Sequence, residues 1–142
     1  MSIYADSSFL AGLYLDVDAH SHKARMYMVK HPVALLFTPF NRIELRSALR
    51  QRGARGECPA MVVKEALRQI DLDMKEGFLV HAPVELGAVI RKADELSDRH
   101  PLNRTLDLIH VASAMVLGSK TFLTFDERQA VLAKAGGLKV QH

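Results

Sequence analysis

Two short apolar segments of the sequence each end on an aspartate. In 2-SIYADSSFL-10 the apolar stretch ends at Asp6, and in 121-TFLTFDERQ-129 a similar stretch is followed by Asp126. Either residue alone is compatible with a structural role, because aspartate is a common N-cap of helices. The occurrence of the same pattern twice favours a shared site, since ligands of parallel sheets bind where the strands end.

Two further acids lie in helix-forming segments and have apolar neighbours. Glu44 lies in 43-IELRSAL-49, and Asp107 lies in 105-TLDLIHVASA-114. A carboxylate beside an apolar stripe needs a cation or a hydrogen-bonding partner, because burial of an unpaired charge is costly. That partner is either a bound metal ion or an arginine such as Arg104, and the sequence leaves both interpretations open.

Four carboxylates without neighbouring cysteine or histidine ligands are typical of a site for a hard divalent cation. Such cations prefer oxygen ligands, and Mg²⁺ is usually held by one or two carboxylates together with waters and substrate phosphate. The donor set therefore predicts Mg²⁺ or Mn²⁺ as the cofactor and disfavours Zn²⁺.

The elements that must position these acids alternate along the chain. Strand-like segments cover residues 2–5, 34–37, 79–81, 121–125 and 138–140. Helical spacing covers residues 19–30, 40–52, 59–77, 84–99, 104–118 and 126–136. Short strands separated by helices predict a single α/β domain over residues 1–142. We expect a central, mostly parallel sheet of about five short strands flanked by helices.

The composition is that of a globular domain. The chain has 142 residues, of which 49% are hydrophobic and 25% charged. Its apolar runs are far too short for a membrane span, and its first residues lack the pattern of a secretory signal. A single cysteine, Cys58, excludes an internal disulfide and favours a cytoplasmic location. The net charge of +3 permits a polyanionic partner.

The four acids and the residues around them resemble the PIN-domain nucleases. The resemblance is carried by 4-YADSSFL-10, 38-TPFNRIELRSAL-49, 104-RTLDLIHVASA-114 and 121-TFLTFDERQ-129, and it spans essentially the whole chain. A single domain of this length is most similar to the toxin of a VapBC toxin–antitoxin pair. The resemblance implies an endoribonuclease that depends on Mg²⁺ or Mn²⁺. It also implies that the catalytic metal ligands are Asp6, Glu44, Asp107 and Asp126.

The same resemblance implies supporting residues and partners. Ser7, Ser8 and Thr124 would assist the acids or face the phosphate. The RNA would be hydrolysed to 5′-phosphate and 3′-hydroxyl ends, since a metal-activated water attacks without the ribose 2′-hydroxyl. A small antitoxin would inhibit the enzyme through a tail that places an arginine or lysine among the acids. A homodimer is compatible with the family.

Two other functions remain open at this stage. One is a catalytically inactive PIN-like module that binds RNA or protein and uses its acids structurally. The other is a phosphatase of the haloacid-dehalogenase kind, which also has an aspartate after its first strand. That fold requires a second aspartate two residues later, whereas Ser7 and Ser8 follow Asp6 here.

Two clusters of histidines and acids are interpreted as structural. The segment 15-LDVDAHSH-22 has the composition of a metal site, but its place between helices favours a solvated turn. His110 follows Asp107 by three residues on the same side of an apolar helix, which is compatible with a supporting contact to the acids, but we interpret it as a hydrogen-bonded core residue.

Basic residues are concentrated in and after the segment that contains Glu44. Arg42, Arg46 and Arg50 recur every four residues, and their stripe points well away from Glu44 on a helical wheel. The segment 50-RQRGARGE-57 is predicted to form a mobile basic loop. Its Arg52 and Arg55 are the expected contacts for RNA or an antitoxin.

Overall fold

The computed structural model describes residues 2–141, which form five strands and seven helices. In chain order these are β1 Ile3–Ala5, α1 Ser7–Tyr14, α2 Ser21–Lys30, β2 Leu35–Phe37, α3 Pro39–Ala54, α4 Ala60–Glu76, β3 Leu79–His81, α5 Leu86–Arg99, α6 Thr105–Val116, β4 Thr121–Leu123, α7 Glu127–Ala135 and β5 Lys139–Gln141.

The five strands form one sheet in the order β3-β2-β1-β4-β5, and every pair is parallel. The predicted α/β fold with a central parallel sheet is therefore confirmed. Strand β1 lies in the middle, where Ile3 pairs with Leu35 of β2 and Ala5 pairs with Leu123 of β4. The strand order reverses between β1 and β4, and the crevice at this switch point is the usual ligand site of open parallel sheets.

Side chains of the central strands alternate between two buried layers. Ile3 and Ala5 belong to the cluster that packs with helices α1 to α4, whereas Tyr4 and Phe122 belong to the cluster with α5 to α7. The alternation follows from the period of two in a β-strand. Because both faces are covered, the central strands are buried and apolar except for Thr121, as is typical of parallel sheets.

Helix α1 is absent from the segments predicted by helical spacing. Four consecutive residues of this helix, from Phe9 to Gly12, are buried, so no polar face gives the apolar pattern its period. Most predicted boundaries shift by one or two residues, and two of the shifts bear on the site: α3 extends past residue 52 to Ala54, and β4 ends at Leu123. The shorter β4 brings Thr124 and Asp126 to the end of the strand.

None of the helices formed by residues 2–141 combines the length and the apolar character that spanning a bilayer requires.

Candidate active site

A cleft of about 450 Å³ opens at the carboxyl edge of β1 and β4. Its lining includes all four predicted acids, which come from the end of β1, from α3, from the first turn of α6 and from the N-cap of α7: Asp6, Glu44, Asp107 and Asp126. Segments that are distant in sequence thus bring their carboxylates to the same side of the sheet.

Asp6 is the most enclosed of the four acids, with 4% of its surface exposed. As the N-cap of α1, its Oδ1 accepts hydrogen bonds from the backbone N–H of Phe9 at 3.1 Å and from the hydroxyl of Ser8 at 2.7 Å. Its Oδ2 accepts a hydrogen bond from the hydroxyl of Thr124. Burial raises the pKa of Asp6 to about 6, although the hydrogen bonds from Thr124, Ser8 and Phe9 act in the opposite direction.

Glu44 is supported by a hydroxyl and an imidazole. Ser7 donates a hydrogen bond to its Oε1, and Nε2 of His110 lies 3.1 Å from the same oxygen. The second contact has ion-pair distance without hydrogen-bond alignment, so Nε2 is left without a hydrogen-bond partner among the described residues. Burial tends to raise the pKa of Glu44, but His110, Ser7 and Arg104 hold it below its ordinary value.

His110 is a core residue that links the acid to the sheet. Only 1% of its surface is exposed, and its Nδ1 lies 2.6 Å from the hydroxyl of Tyr4. The prediction of a hydrogen-bonded core histidine is confirmed. Its particular contact with Glu44 was not predicted. The only signal in the sequence is the three-residue spacing from Asp107, which places both side chains on one side of α6.

Asp126 is held at the start of α7. Its Oδ1 accepts a hydrogen bond from the backbone N–H of Gln129 at 3.0 Å, and its own N–H donates to the hydroxyl oxygen of Thr124 at 2.9 Å. Thr124 therefore contacts two of the acids, since its hydroxyl also donates to Asp6. Asp126 is therefore a helix cap that also lines the cleft.

Asp107 has the arginine neighbour that the sequence offered as an alternative to a metal. Nε of Arg104 lies 3.7 Å from Oδ2 of Asp107. This single contact is long, and Arg104 is 76% exposed, so the ion pair contributes little stability. Burial raises the pKa of Asp107. Arg104 lowers it, while the negative charges of Asp126 and Glu44 raise it further.

The lining fits a hard divalent cation in its chemistry, because it presents four carboxylates and several hydroxyls. Among residues 2–141, however, no three side chains of the kinds Asp, Glu, His and Cys are close enough to hold one ion. Asp6 and Glu44 instead direct oxygens at the hydroxyls of Ser8, Thr124 and Ser7. Carboxylates that bind a common ion must turn from these partners into the cleft, and the terminal torsions of Asp and Glu permit such rotation.

Arg52 and Arg55 also line the cleft. The predicted mobile loop is wrong for Arg52, because α3 continues to Ala54 and Arg52 lies in its last turn. Nη2 of Arg52 donates to Oδ2 of Asp18 at 2.6 Å, and the side chain of Asp18 is 6% exposed. Arg55 follows the helix and is exposed, with its Nε 3.7 Å from Glu57. One arginine is therefore fixed and the other is free to move.

The segment 15–22 contributes to the cleft instead of forming a wholly solvated turn. Asp18 and His20 both line the cleft, and Asp18 is enclosed by its contact with Arg52. The ring of His20 stacks on Phe125 with 4.4 Å between centroids. The interpretation as a solvated turn is wrong for Asp18, because its side chain is enclosed by the ion pair with Arg52. That pair forms only when the turn packs against α3.

The stripe on α3 lies outside the cleft, as its angle to Glu44 predicted. Nη1 atoms of Arg42 and Arg46 lie 3.3 and 3.2 Å from Oδ1 of Asp71 on α4, and Arg50 is exposed. Two of the three arginines therefore join neighbouring helices.

The fold and the cleft define an α/β domain with a carboxylate-lined crevice at the switch point of a parallel sheet. Residues 3–135 of the chain match the PIN domain family, and the chain belongs to that family. The resemblance seen in the sequence is thereby confirmed.

This fold also occurs in solved structures, among them the following three. VapC20 of Mycobacterium tuberculosis, described as a sarcin-ricin loop cleaving toxin, aligns with a TM-score of 0.71 at 21% identity over 92% of this chain and 94% of that one. PAE2754 of Pyrobaculum aerophilum aligns with a TM-score of 0.64 at 20% identity over 99% and 83%. VapBC2 of Rickettsia felis, bound to a DNA fragment of its promoter, aligns with a TM-score of 0.65 at 10% identity over 99% and 98%. Among proteins with curated descriptions, none matches this chain significantly.

Proposed function

We propose that this protein is a metal-dependent endoribonuclease and the toxin of a type II toxin–antitoxin pair. The observation that carries the proposal is that one cleft collects four carboxylates from distant segments: Asp6, Glu44, Asp107 and Asp126. Membership of the PIN domain family supports the proposal. So does the likeness of fold to a toxin described as cleaving the sarcin-ricin loop and to a VapBC complex.

The chain's own residues have distinct tasks in the proposed reaction. Mg²⁺ or Mn²⁺, held by the four acids, supplies Lewis acidity and an activated water when bound. In the metal-free protein Ser8 and Thr124 hold the carboxylate of Asp6 at the end of β1, and Ser7 and His110 contact that of Glu44. Both carboxylates would turn from these partners into the cleft to hold the ion. Hydrolysis by water leaves 5′-phosphate and 3′-hydroxyl ends.

Arginines at the cleft supply the positive charge that RNA requires. Arg52, Arg55 and Arg104 line the same cleft as the acids. The exposed Arg55 and Arg104 can follow a phosphate, since neither is enclosed by its ion pair. Arg52 is held by Asp18, so its guanidinium has a fixed position and part of its charge is offset. The arrangement attracts a phosphodiester to carboxylates that would otherwise repel it.

The most direct test is incubation of the purified protein with total RNA and Mn²⁺ or Mg²⁺, followed by mapping of the cut ends. We expect cleavage with either ion and none in excess EDTA. Asp126→Asn should lower cleavage by orders of magnitude and leave the metal-free melting temperature unchanged or higher, because asparagine still caps α7. Asp98→Asn, the same change at an exposed position of α5, is the matched control and should cleave like the parent.

A non-catalytic binding module is the second candidate. The observation that favours it is the lack, among residues 2–141, of three possible ligands within reach of one ion. Such a module would bind RNA without cutting it, and metal would not change its melting temperature. Cleavage that persists undiminished in EDTA would contradict the metal mechanism instead. The phosphatase has no support, since Ser8 occupies the position of its second aspartate and donates to Asp6.

The proposed partner is a small cytoplasmic antitoxin whose tail places an arginine or lysine among the acids. A guanidinium matches two carboxylates and competes with the metal for them. Co-purification from the native cell should recover such a protein, and the complex should bind Mn²⁺ more weakly than the free toxin. A partner that leaves the cleft open to Mn²⁺ would contradict this mode of inhibition.

A further inference from the structure

A second groove, of about 670 Å³, lies between α2 and β5. Its helical wall carries His22, Lys23 and Lys30, with His31 directly after the helix, and β5 contributes Gln141. These positions share one side of α2, because residues three, four and seven apart lie on the same face of a helix. Within residues 2–141 no acid lines the groove, and neither lysine makes an ion pair there. As far as residues 2–141 line it, the groove therefore carries positive charge with no acid facing it.

The groove adjoins the acidic cleft along the edge of the sheet. The backbone N–H of Thr124 donates to the carbonyl of Gln141 at 3.3 Å, and the hydroxyl of Thr124 donates to Asp6. Gln141 is thus two strand spacings from the end of β1, which corresponds to roughly 10 Å. A chain molecule bound at the acids can continue directly into the groove.

A row of aromatic rings connects the acidic cleft to the groove. His20, in the cleft, stacks on Phe125, which stacks on Phe9 with centroids 5.4 Å apart. Phe9 meets Tyr27 edge to face at 5.8 Å, and Tyr27 lies 4.5 Å from His31. The exposed rings of His20 and His31 lie at the two ends of the row. Each of them packs against an inner ring, which limits its motion. Exposed rings beside a basic groove are the usual means of binding single-stranded nucleic acid.

We propose that the groove between α2 and β5 binds the single-stranded RNA that adjoins the phosphate in the acidic cleft. The inference rests on the proposed function, because the cleft must hold the scissile phosphate. Lys23 and Lys30 neutralise backbone phosphates, and His20 and His31 offer ring faces to bases. Continuity with the cleft, together with the absence of acids among the described residues that line the groove, favours RNA over a protein segment as the occupant.

The test removes the two lysines and measures RNA binding without cleavage. Lys23→Gln/Lys30→Gln is compared with Lys64→Gln/Lys75→Gln, an equal change of charge at exposed positions of α4. Binding of a single-stranded RNA is followed by fluorescence anisotropy in EDTA over a series of salt concentrations. The groove variant should bind about tenfold more weakly at physiological salt and lower the log–log salt slope by about 1.4, since each phosphate contact on a single strand contributes about 0.7. The α4 variant should match the parent.

A second measurement separates this inference from the proposed function. Cleavage of a dinucleotide, which fills the cleft alone, should be equal in the parent and the groove variant with Mn²⁺. If the parent cuts RNA while the groove variant keeps its affinity and salt slope, the groove is not an RNA site. A groove variant that loses antitoxin binding but keeps its RNA salt slope would likewise overturn the inference. If the parent cuts no RNA but the groove variant still loses RNA affinity and salt slope, the proposed nuclease function is contradicted and the groove remains an RNA-binding site.

Discussion

Replacement of Asp6 by asparagine should stabilise the metal-free protein at neutral pH while abolishing RNA cleavage. Burial raises the pKa of Asp6 from an ordinary value of 3.8 to about 6. The folded state therefore binds this proton more tightly than the unfolded state does. Stability is full at low pH, is lost as the pH rises from about 4 to about 6, and stays at the lower level above that window.

The magnitude follows from the difference between the two pKa values. One pKa unit corresponds to about 1.4 kcal/mol, so ionisation of Asp6 costs the folded protein about 3 kcal/mol at neutral pH. Asparagine keeps the shape of the side chain and removes this cost. Its oxygen can still accept from the N–H of Phe9, and its amide can donate to the hydroxyl of Thr124. That hydroxyl already accepts from the N–H of Asp126, and a second lone pair remains for the amide.

The assay is urea unfolding of the metal-free parent and of Asp6→Asn at several pH values between about 4 and 8. The free energy of unfolding should fall with pH in the parent and fall much less across that window in the variant, where the raised pKa of Asp107 still contributes. Exposed Asp98→Asn is the control, and it should retain the parent's pH profile. With Mn²⁺ the parent should gain more stability than Asp6→Asn, because ligand binding to the native state stabilises it by mass action.

A loss of stability in the variant would contradict this account of Asp6. If Asp6→Asn is less stable than the parent at neutral pH, the hydrogen bonds to the carboxylate outweigh its burial. Asp6 would then be a structural cap of α1 whose charge the fold requires, and a trade-off between stability and activity would be absent.

Three further substitutions test the surroundings of the cleft. Tyr4→Phe removes the hydroxyl 2.6 Å from Nδ1 of His110, so the free energy of unfolding in urea should fall by about 1–3 kcal/mol and cleavage should fall with it. Arg52→Ala leaves the enclosed carboxylate of Asp18 without its ion partner and should lower both the melting temperature and RNA affinity. Arg55→Ala should stay within about 0.5 kcal/mol of the parent in stability. It should nevertheless make the RNA salt slope shallower by about 0.7, and equal melting temperatures for the two arginine variants would contradict this distinction.

The places of the acids could be predicted because they depend on local patterns. Asp6 and Asp126 each follow a strand, and parallel strands bring all their carboxyl ends to one edge of a sheet. Glu44 and Asp107 stand beside apolar residues on helices, which already excludes a wholly solvated position. Sequence periodicity and the cost of burying an unpaired charge are therefore sufficient to predict where these four acids lie.

Contacts between distant segments could not be predicted in this way. Helix α1 is buried over consecutive residues, so it lacks the polar face that periodicity detects. Asp18 lies in a polar turn whose composition resembles that of any solvated loop, and its enclosure depends on where α3 places Arg52. The approach of His110 to Glu44 likewise exists only once α6 has packed beside α3. Tertiary packing decides all three.

The central position of β1 has a consequence for the order in which the molecule can form. The hydroxyl of Thr124 and the carboxylate of Asp6 are separated by 118 positions in the chain, and β1 pairs with β4 across the same interval. Chains dominated by such distant contacts fold slowly, and during synthesis the N-terminal part emerges first. Strand β1 can therefore pair with β4 only after the segment 121–126 has been synthesised. Translation that stops before this segment yields a chain without the cleft, so the topology itself confines any activity to chains that the ribosome has extended through Asp126.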